Sequence, residues 1–356
     1  MTQQSQQHAQ RGQQQPRKGG WDAASIPDLT GRVYVVTGAN SGLGLATTRA
    51  LARRGAHVVL AVRDEAKGRR AVAGITADQP DASLEVRRLD LADLDSVRAF
   101  AAGLHADRTG SNGPGGLDGL INNAGVMAPP RTLGAQGHEL QFAANHLGHF
   151  ALTGLLLDLL TATPDSRVVT VTSTNHRQGR LAFDDLSGER TYSPMAFYNQ
   201  SKLANAVFGH ELHRRLTEAS SPVRSVLAHP GYTATNLQTA APTGMVKLLF
   251  GRLLKPLAQS PDRGALPQLY AATAPEAQGG DFIGPDGPAE LRGAPKRVRL
   301  SPEATNPETA TRLWTLSEDL TGVHFTFRGR DLSPSTGHST SREEDLPPSG
   351  DRDEGD

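Results

Sequence analysis

The sequence predicts an α/β fold, a single doubly wound parallel sheet with helices on both faces. Three observations carry this. Short β-branched runs alternate with helical stretches from residue 32 onward. Most of these runs place apolar residues side by side rather than at every second position, the pattern of strands buried on both faces. The first run leads directly into a glycine-rich turn that opens a helix, so the β-α-β units repeat from the start.

Each element has its own signal. Arg32 to Thr37 is β-branched and ends at Gly38, which suits a buried strand. A helix from about Gly42 to Arg54 follows and stops at Gly55. His57 to Val62 is the second strand, Glu65 to Ile75 the second helix, and Leu84 to Leu89 the third strand. A helix runs from about Ala92 to His105, and Ser111 to Gly116 is a loop. Leu117 to Asn122 and Arg167 to Ser173 are the fourth and fifth strands, with a long helix between them from about Gly137 to Leu160. Tyr198 to Thr217 is helical, Val223 to Ala228 is the sixth strand, and Asp281 to Gly284 a short last one.

The segment from Thr239 to Ser260 breaks the rhythm. Met245 to Pro256 is apolar with three cations, which reads as a substrate lid, a shallow membrane contact or an amphipathic helix on the core. Residues 1–27 are expected to be a disordered leader, 28–328 the folded domain with its lid at 239–260, and 329–356 a disordered tail rich in Ser, Pro, Gly and charge.

Composition narrows the function. The formal net charge is zero, which argues against bulk attraction to nucleic acid or to an anionic membrane surface. There is no Cys, so disulfides, thiol catalysis and Cys-ligated zinc are excluded, in keeping with a cytoplasmic protein. The first twenty residues hold no apolar run, and no stretch reaches the eighteen or so apolar residues needed to span a bilayer, so no stable membrane insertion is expected. His146 and His149 stand three apart on a helix, but no third ligand completes a set with them and His138, and no metal is expected.

The turn Thr37-Gly-Ala-Asn-Ser-Gly-Leu-Gly44 lies where a helix N-terminus can meet a pyrophosphate. Gly38, Asn40, Ser41, Gly42, Leu43 and Gly44 are therefore candidate cofactor residues. The second strand ends in Ala61-Val-Arg63-Asp64. An acidic residue at that end would favour NAD. Arg63 instead offers a cation to a 2′-phosphate, so NADP(H) is preferred over NAD(H). Asp64 is expected to cap the next helix. Asp90 either accepts from an adenine amino group or serves as a turn residue.

Tyr198-Asn-Gln-Ser-Lys202 places a phenol and an ammonium on one helix face. The positive charge favours the phenolate and is expected to pull the tyrosine pKa down, which suits proton exchange with an alcohol or a carbonyl. Ser173 ends a buried strand, where its hydroxyl would face the crevice or act as a turn hydroxyl.

Taken in order, the glycine turn, Asp90-Leu91, Asn122-Asn-Ala-Gly125, Asn145, Ser173, Tyr198-x-x-x-Lys202 and Pro230-Gly231 resemble the short-chain dehydrogenase/reductase family, from about Asp28 to Phe325. Asn145-His-Leu-Gly-His-Phe150, Tyr198 to Asn205 and Leu291-Arg-Gly-Ala-Pro look closer still to its retinol-dehydrogenase-like branch. The resemblance implies a Rossmann-type domain. It implies Tyr198 as general acid or base and Lys202 as the residue that lowers its pKa and holds the nicotinamide ribose. Ser173 binds the substrate oxygen, and Asn145 anchors a water leading from Lys202. Asp90, Leu91, Asn123, Ala124 and Gly125 lie along the cofactor, with Pro230, Thr233 and Thr235 at its carboxamide end. The retinoid enzymes of that branch often carry an N-terminal anchor, and Met1 to Gly20 is Gln-rich instead, which turns the expectation away from a retinoid.

The expected activity is NADP(H)-dependent interconversion of a lipophilic alcohol and carbonyl. A non-catalytic NADP(H)-binding sensor or scaffold is the alternative. The partners expected are a small alcohol or carbonyl substrate and, through the long helices from Gly137 and Tyr198, a second copy of the chain. Tyr192 is a poor rival to Tyr198, because Ala196 stands where a lysine would be needed.

Overall fold

Alternation along each strand decides how the sheet is covered. Val33 and Val35 join one apolar cluster, whereas Tyr34 and Val36 join another on the opposite face. Val59 against Val58, Leu120 against Ile121 and Val168 against Val169 divide in the same way. Successive side chains of a strand point to opposite faces, so an all-apolar strand needs helices above and below it.

The computed structural model describes residues 20–109, 115–233 and 258–327. Its strands are β1 (Val33–Thr37), β2 (His57–Val62), β3 (Leu84–Arg88), β4 (Gly119–Asn122), β5 (Arg167–Val171), β6 (Arg224–Ala228), β7 (Phe282–Pro285) and β8 (Pro295–Arg297). They form one sheet in the order β3-β2-β1-β4-β5-β6-β7-β8, parallel except for β8. The helices are α1 (Gly42–Ala52), α2 (Glu65–Asp78), α3 (Leu94–Thr109), α4 (Leu140–Phe142), α5 (Gly148–Leu155), α6 (Leu157–Thr161), α7 (Pro194–Glu218), α8 (Pro261–Gly264), α9 (Leu266–Thr273) and α10 (Pro307–Thr321). Strand order reverses between β1 and β4, which opens a crevice at the carboxyl ends of these two strands.

Four features differ from the sequence expectation. The ordered chain begins before residue 28: Asp22 caps a short 3₁₀ turn at Ala23–Ser25, Ile26 is buried, and Trp21 meets the Tyr270 ring edge-on at 5.3 Å. The buried Ile26 and the partly buried Trp21 explain why this stretch is tied down despite its polar neighbours.

The helix expected from Gly137 to Leu160 is broken. Gly137 has φ +80 and sits in a turn, Glu139 caps α4, residues Ala143–Leu147 are π-helical, and Leu156 leaves helical geometry between α5 and α6. The strand expected to reach Ser173 stops at Val171, because Ser173 caps a 3₁₀ turn at Thr174–Gln178. The helix expected from Tyr198 begins one turn earlier, with Pro194 in its first turn.

The elements β8, α8, α9 and α10 complete the fold. Helix α10 packs on α5 and α7, with Trp314 against Phe150 at 5.2 Å and Phe208 at 5.9 Å. The chain itself thus covers part of the helix faces that were expected to offer themselves to a second copy. Residues 239–257 of the expected lid, and Thr235, lie outside the described residues, as do 1–19 of the leader and the tail from 329. Among the described residues, no helix is long and apolar enough to cross a membrane.

Candidate active site

The crevice is built first from the turn after β1. Gly38 has φ +65, and a Cβ there would meet the Ala124 Cβ at 3.0 Å. Gly44 in α1 lies so close to the strand that a Cβ would stand 2.4 Å from the Gly38 carbonyl oxygen. Both positions exclude a side chain, which lets helix and strand meet at the turn. Asn40 lies within the turn and Gly42 opens α1. Ser41 is the N-cap of α1 but gives no side-chain cap bond, leaving the first-turn amides without that acceptor. Leu43 packs at the margin of the core, where the Gly264 position of α8 abuts it.

Thr37 ties this turn to the next. Its Oγ1 accepts from the amides of Asn123 and Ala124, each at 2.9 Å, and its carbonyl accepts from Asn123 Nδ2 at 2.8 Å. Gln268 from α9 donates to Thr47 Oγ1 at 2.5 Å and to Asn123 Oδ1 at 3.2 Å. Sequence reasoning gave Thr37 no role of its own, although a polar residue ending an apolar strand was the available signal. Gln268 carries no such signal, since it reaches the site from more than 140 residues away.

At the end of β2, Arg63 is exposed and, among the described residues, joins no ion pair. Asp64 caps α2 by accepting from the Lys67 amide at 3.0 Å, as expected. Asp90 accepts from the Ala92 amide at 3.0 Å, the bond of a turn residue, and its own amide donates to Ser96 Oγ. Leu91 is buried beneath Gly148 of α5.

Asn145 sits in the π-helical turn and holds the segment after Gly125. Its Oδ1 accepts from the Val126 amide at 2.8 Å, while its Nδ2 donates to the Val126 carbonyl and to Ser201 Oγ, each at 2.9 Å. A Cβ at Gly125 would lie 3.2 Å from Asn145 Oδ1 and 3.5 Å from Lys202 Nζ. The wall formed by Asn123, Ala124 and Gly125 therefore borders the pair from α7 directly.

Ser173, Tyr198 and Lys202 converge there. The Ser173 hydroxyl lies close enough to the Tyr198 phenol to favour its ionised form, while its own hydrogen bonds stay within its turn, accepting from the Asn175 amide at 3.2 Å and donating to Asn175 Oδ1 at 3.5 Å. Lys202 donates to the Val171 carbonyl at 3.3 Å. The expected lowering of the Tyr198 pKa does not hold in this arrangement: burial pushes the phenol up to about 12, and only the nearby Ser173 hydroxyl opposes it. Burial likewise brings the Lys202 ammonium down to about 8. Desolvation penalises the charged form of each, and at this separation it outweighs their mutual attraction.

Pro230 follows β6. Its carbonyl accepts from Thr233 Oγ1 at 2.9 Å and from Gln259 Nε2 at 2.6 Å, and Thr233 is buried. Tyr192 is occupied elsewhere: its hydroxyl donates to the Pro129 carbonyl at 2.9 Å and faces Glu139, and its pKa is pushed up to about 12, first by burial. His146 and His149 do not converge as ligands would. His146 Nε2 lies 2.9 Å from Ser317 Oγ, and His149 bonds within the site. Phe183 lies under the Arg312 guanidinium at 4.2 Å, turned toward α10.

These residues fit a dinucleotide. The positions at Gly38 and Gly44 leave no room for a side chain and Gly125 is tightly walled, the amides at the start of α1 lack a Ser41 cap, and Arg63 is exposed at the strand edge and, among the described residues, joins no ion pair.

The chain matches the sequence profile of the short chain dehydrogenases over residues 32–245. Retinol dehydrogenase 12 of Homo sapiens is 40% identical over 299 residues, 83% of this chain and 88% of that protein. Retinol dehydrogenase 14 of Mus musculus is 38% identical over 322 residues, 87% of this chain and 90% of that protein. Among solved structures, an uncharacterised protein of Mycobacterium paratuberculosis superposes with a TM-score of 0.71 at 45% identity, over 86% of this chain and 100% of that one.

Proposed function

Because this chain belongs to the short-chain dehydrogenase/reductase family, in its retinol-dehydrogenase-like branch, and is an oxidoreductase acting on CH–OH groups, we propose that it interconverts a lipophilic alcohol and its carbonyl with NADP(H), using Tyr198 as general acid and base. The observation that carries this is the convergence of Ser173, Tyr198 and Lys202 at the carboxyl edge of the sheet, with the Lys202 ammonium 5.9 Å from the centre of the Tyr198 ring and Gly125 alongside.

A bound nicotinamide dinucleotide supplies or accepts the hydride. The glycine turn and the α1 amides would hold its pyrophosphate, Arg63 its 2′-phosphate, Lys202 its nicotinamide ribose and Pro230 to Thr235 its carboxamide end. In reduction, Tyr198 Oη gives its proton to the substrate oxygen, and Ser173 Oγ bonds that oxygen as charge develops. In oxidation, the Tyr198 phenolate takes the hydroxyl proton. Lys202 favours that phenolate by its charge, and Asn145 fixes the wall against which both residues stand.

The lipophilic substrate rests on exposed apolar side chains at the rim. Met195 stands one turn before Tyr198 on α7, and Leu291, whose carbonyl lies against Gly231 and accepts from the Tyr232 amide at 2.8 Å, also exposes its side chain. The names of the retinol dehydrogenases point the same way, toward long apolar alcohols and aldehydes. We assign the reaction to the cytoplasm, in keeping with a chain without cysteine.

The test is to follow NADPH and NADH oxidation in parallel with aliphatic, aromatic and retinoid aldehydes. Turnover of apolar aldehydes that prefers NADPH is expected. Preference for NADH would reject the Arg63 assignment, and turnover confined to small polar carbonyls would reject the lipophilic substrate. Tight cofactor binding without turnover would favour the sensor.

A further inference from the structure

His149 lies on α5, wholly buried, one turn beyond Asn145. Its Nδ1 is 2.9 Å from the Asn145 carbonyl oxygen, and its Nε2 is 2.9 Å from Thr37 Oγ1. A carbonyl oxygen only accepts, so Nδ1 carries the proton and Nε2 is the acceptor. Thr37 Oγ1 accepts from two backbone amides and has two acceptors for its one proton, Nε2 at 2.9 Å and the Ile121 carbonyl at 3.3 Å; the shorter contact to an unprotonated Nε2 takes it. The hydrogen-bond directions are then fixed: the Asn123 and Ala124 amides donate to Thr37, Thr37 donates to His149, and His149 donates to Asn145.

We propose that His149 is a positioning residue that locks the cofactor turn of β1 and β4 to the π-helical turn carrying Asn145, each through a different ring nitrogen. The proposal rests on the function given above. Its Thr37 arm sets the Asn123-Ala124-Gly125 wall. Its Asn145 arm holds the carbonyl of the residue whose amide side chain braces Val126 and Ser201, beside Lys202. The surrounding helix is tied to the same strand ends. The His149 carbonyl accepts from Thr153 Oγ1 at 2.7 Å, and Thr153 Oγ1 in turn accepts from Asn122 Nδ2 at 3.0 Å.

The two arms can be separated by substitution. An Asn amide nitrogen falls near the imidazole Nδ1, and a Gln amide group falls near Nε2. His149→Asn therefore keeps the Asn145 bond and loses Thr37, and His149→Gln does the reverse. Losing one buried hydrogen bond is worth about tenfold in the quantity it supports. His149→Asn is expected to raise the dissociation constant for NADPH about tenfold with kcat within about threefold of the parent. His149→Gln is expected to lower kcat about tenfold and shift its pH profile, with NADPH affinity within about threefold.

Equal losses in both variants that track their loss of thermal stability would reduce His149 to core packing and overturn the proposal. So would two variants with unchanged constants. A third readout does not depend on the variants folding: ¹⁵N NMR of histidine-labelled full chain should show the Nδ1–H tautomer for His149, and an Nε2–H tautomer would break the Asn145 contact and overturn the proposal. The NMR reading also stands if no carbonyl is turned over, so failure of the enzymatic reading and failure of this one give different results.

Discussion

The ammonium of Lys202 lies 5.9 Å from the centre of the Tyr198 ring and spends a hydrogen bond on the Val171 carbonyl. The two charged forms are thus near each other yet each is held back by burial, the phenol toward about 12 and the ammonium toward about 8. A neutral phenol near pH 7 is a proton donor, which is the state that reduction of a carbonyl requires.

Removing that proton should stop the chemistry while sparing the fold. Tyr198→Phe deletes the hydroxyl but keeps the buried ring. Turnover is expected to fall more than about a hundredfold through loss of general acid–base catalysis. NADPH affinity, read by fluorescence titration, should stay within about threefold. A variant that turns over at the parent rate would rule Tyr198 out as the proton donor.

Arg63 offers a second separation. It is exposed at the end of β2, and among the described residues no carboxylate competes for it. Arg63→Ala should raise KM for NADPH about tenfold to a hundredfold and leave KM for NADH within about twofold, because only the 2′-phosphate would lose a charge-assisted bond. Equal effects on both cofactors would show that Arg63 acts on the turn rather than on the phosphate.

How far the sequence could be read depends on how each signal is written. Gly38, Tyr198 and Lys202 are legible because backbone geometry and helical spacing are local properties. The sheet is legible because β1, β2, β4 and β5 each carry consecutive apolar residues. Helix α10 was not predicted, and its buried face explains this: Thr309, Ser317 and Thr321 are buried alongside Leu313 and Trp314, which dilutes the apolar period. The raised Tyr198 pKa was missed for a different reason. Residue spacing reports the nearby charge, whereas desolvation depends on the whole shell around α7. The bond between Gln268 and Asn123 is tertiary and leaves no local mark.

Buried histidines should make stability depend on acid. Burial lowers His149 and His229 to about 4 and His146 to about 3. Each folded value lies below the ordinary one, so the unfolded chain binds more protons as pH falls through about 6.5. Stability is full above that point and is lost progressively down to the folded values. A histidine shifted to 4 costs about 2 kcal/mol at pH 5. Thermal unfolding should be nearly flat from pH 7 to 8 and should fall steeply between pH 6.5 and 5, with a shallower slope in His146→Gln. A melting temperature that stays constant down to pH 5 would contradict burial of these rings.

Trp314 shows whether α10 is part of the core or an appendage. The helix is capped by Asn306, which accepts from the amides of Glu308 and Thr309, and ends at Gly322 with φ +63. Trp314 is buried against Phe150, Phe208 and Phe325, and the Arg215 guanidinium lies 4.2 Å over its ring. Truncation would remove the ring from a cluster that spans α5, α7 and α10, and the cation would lose its partner as well. Trp314→Ala is expected to cost about 3–5 kcal/mol in urea denaturation, with Trp314→Phe recovering more than half by refilling the cavity. A single transition should persist in both variants, because the cluster is continuous with the sheet's main core. Loss below about 1 kcal/mol, or a separate early transition for α10, would mean that the helix docks on a domain that is already complete without it.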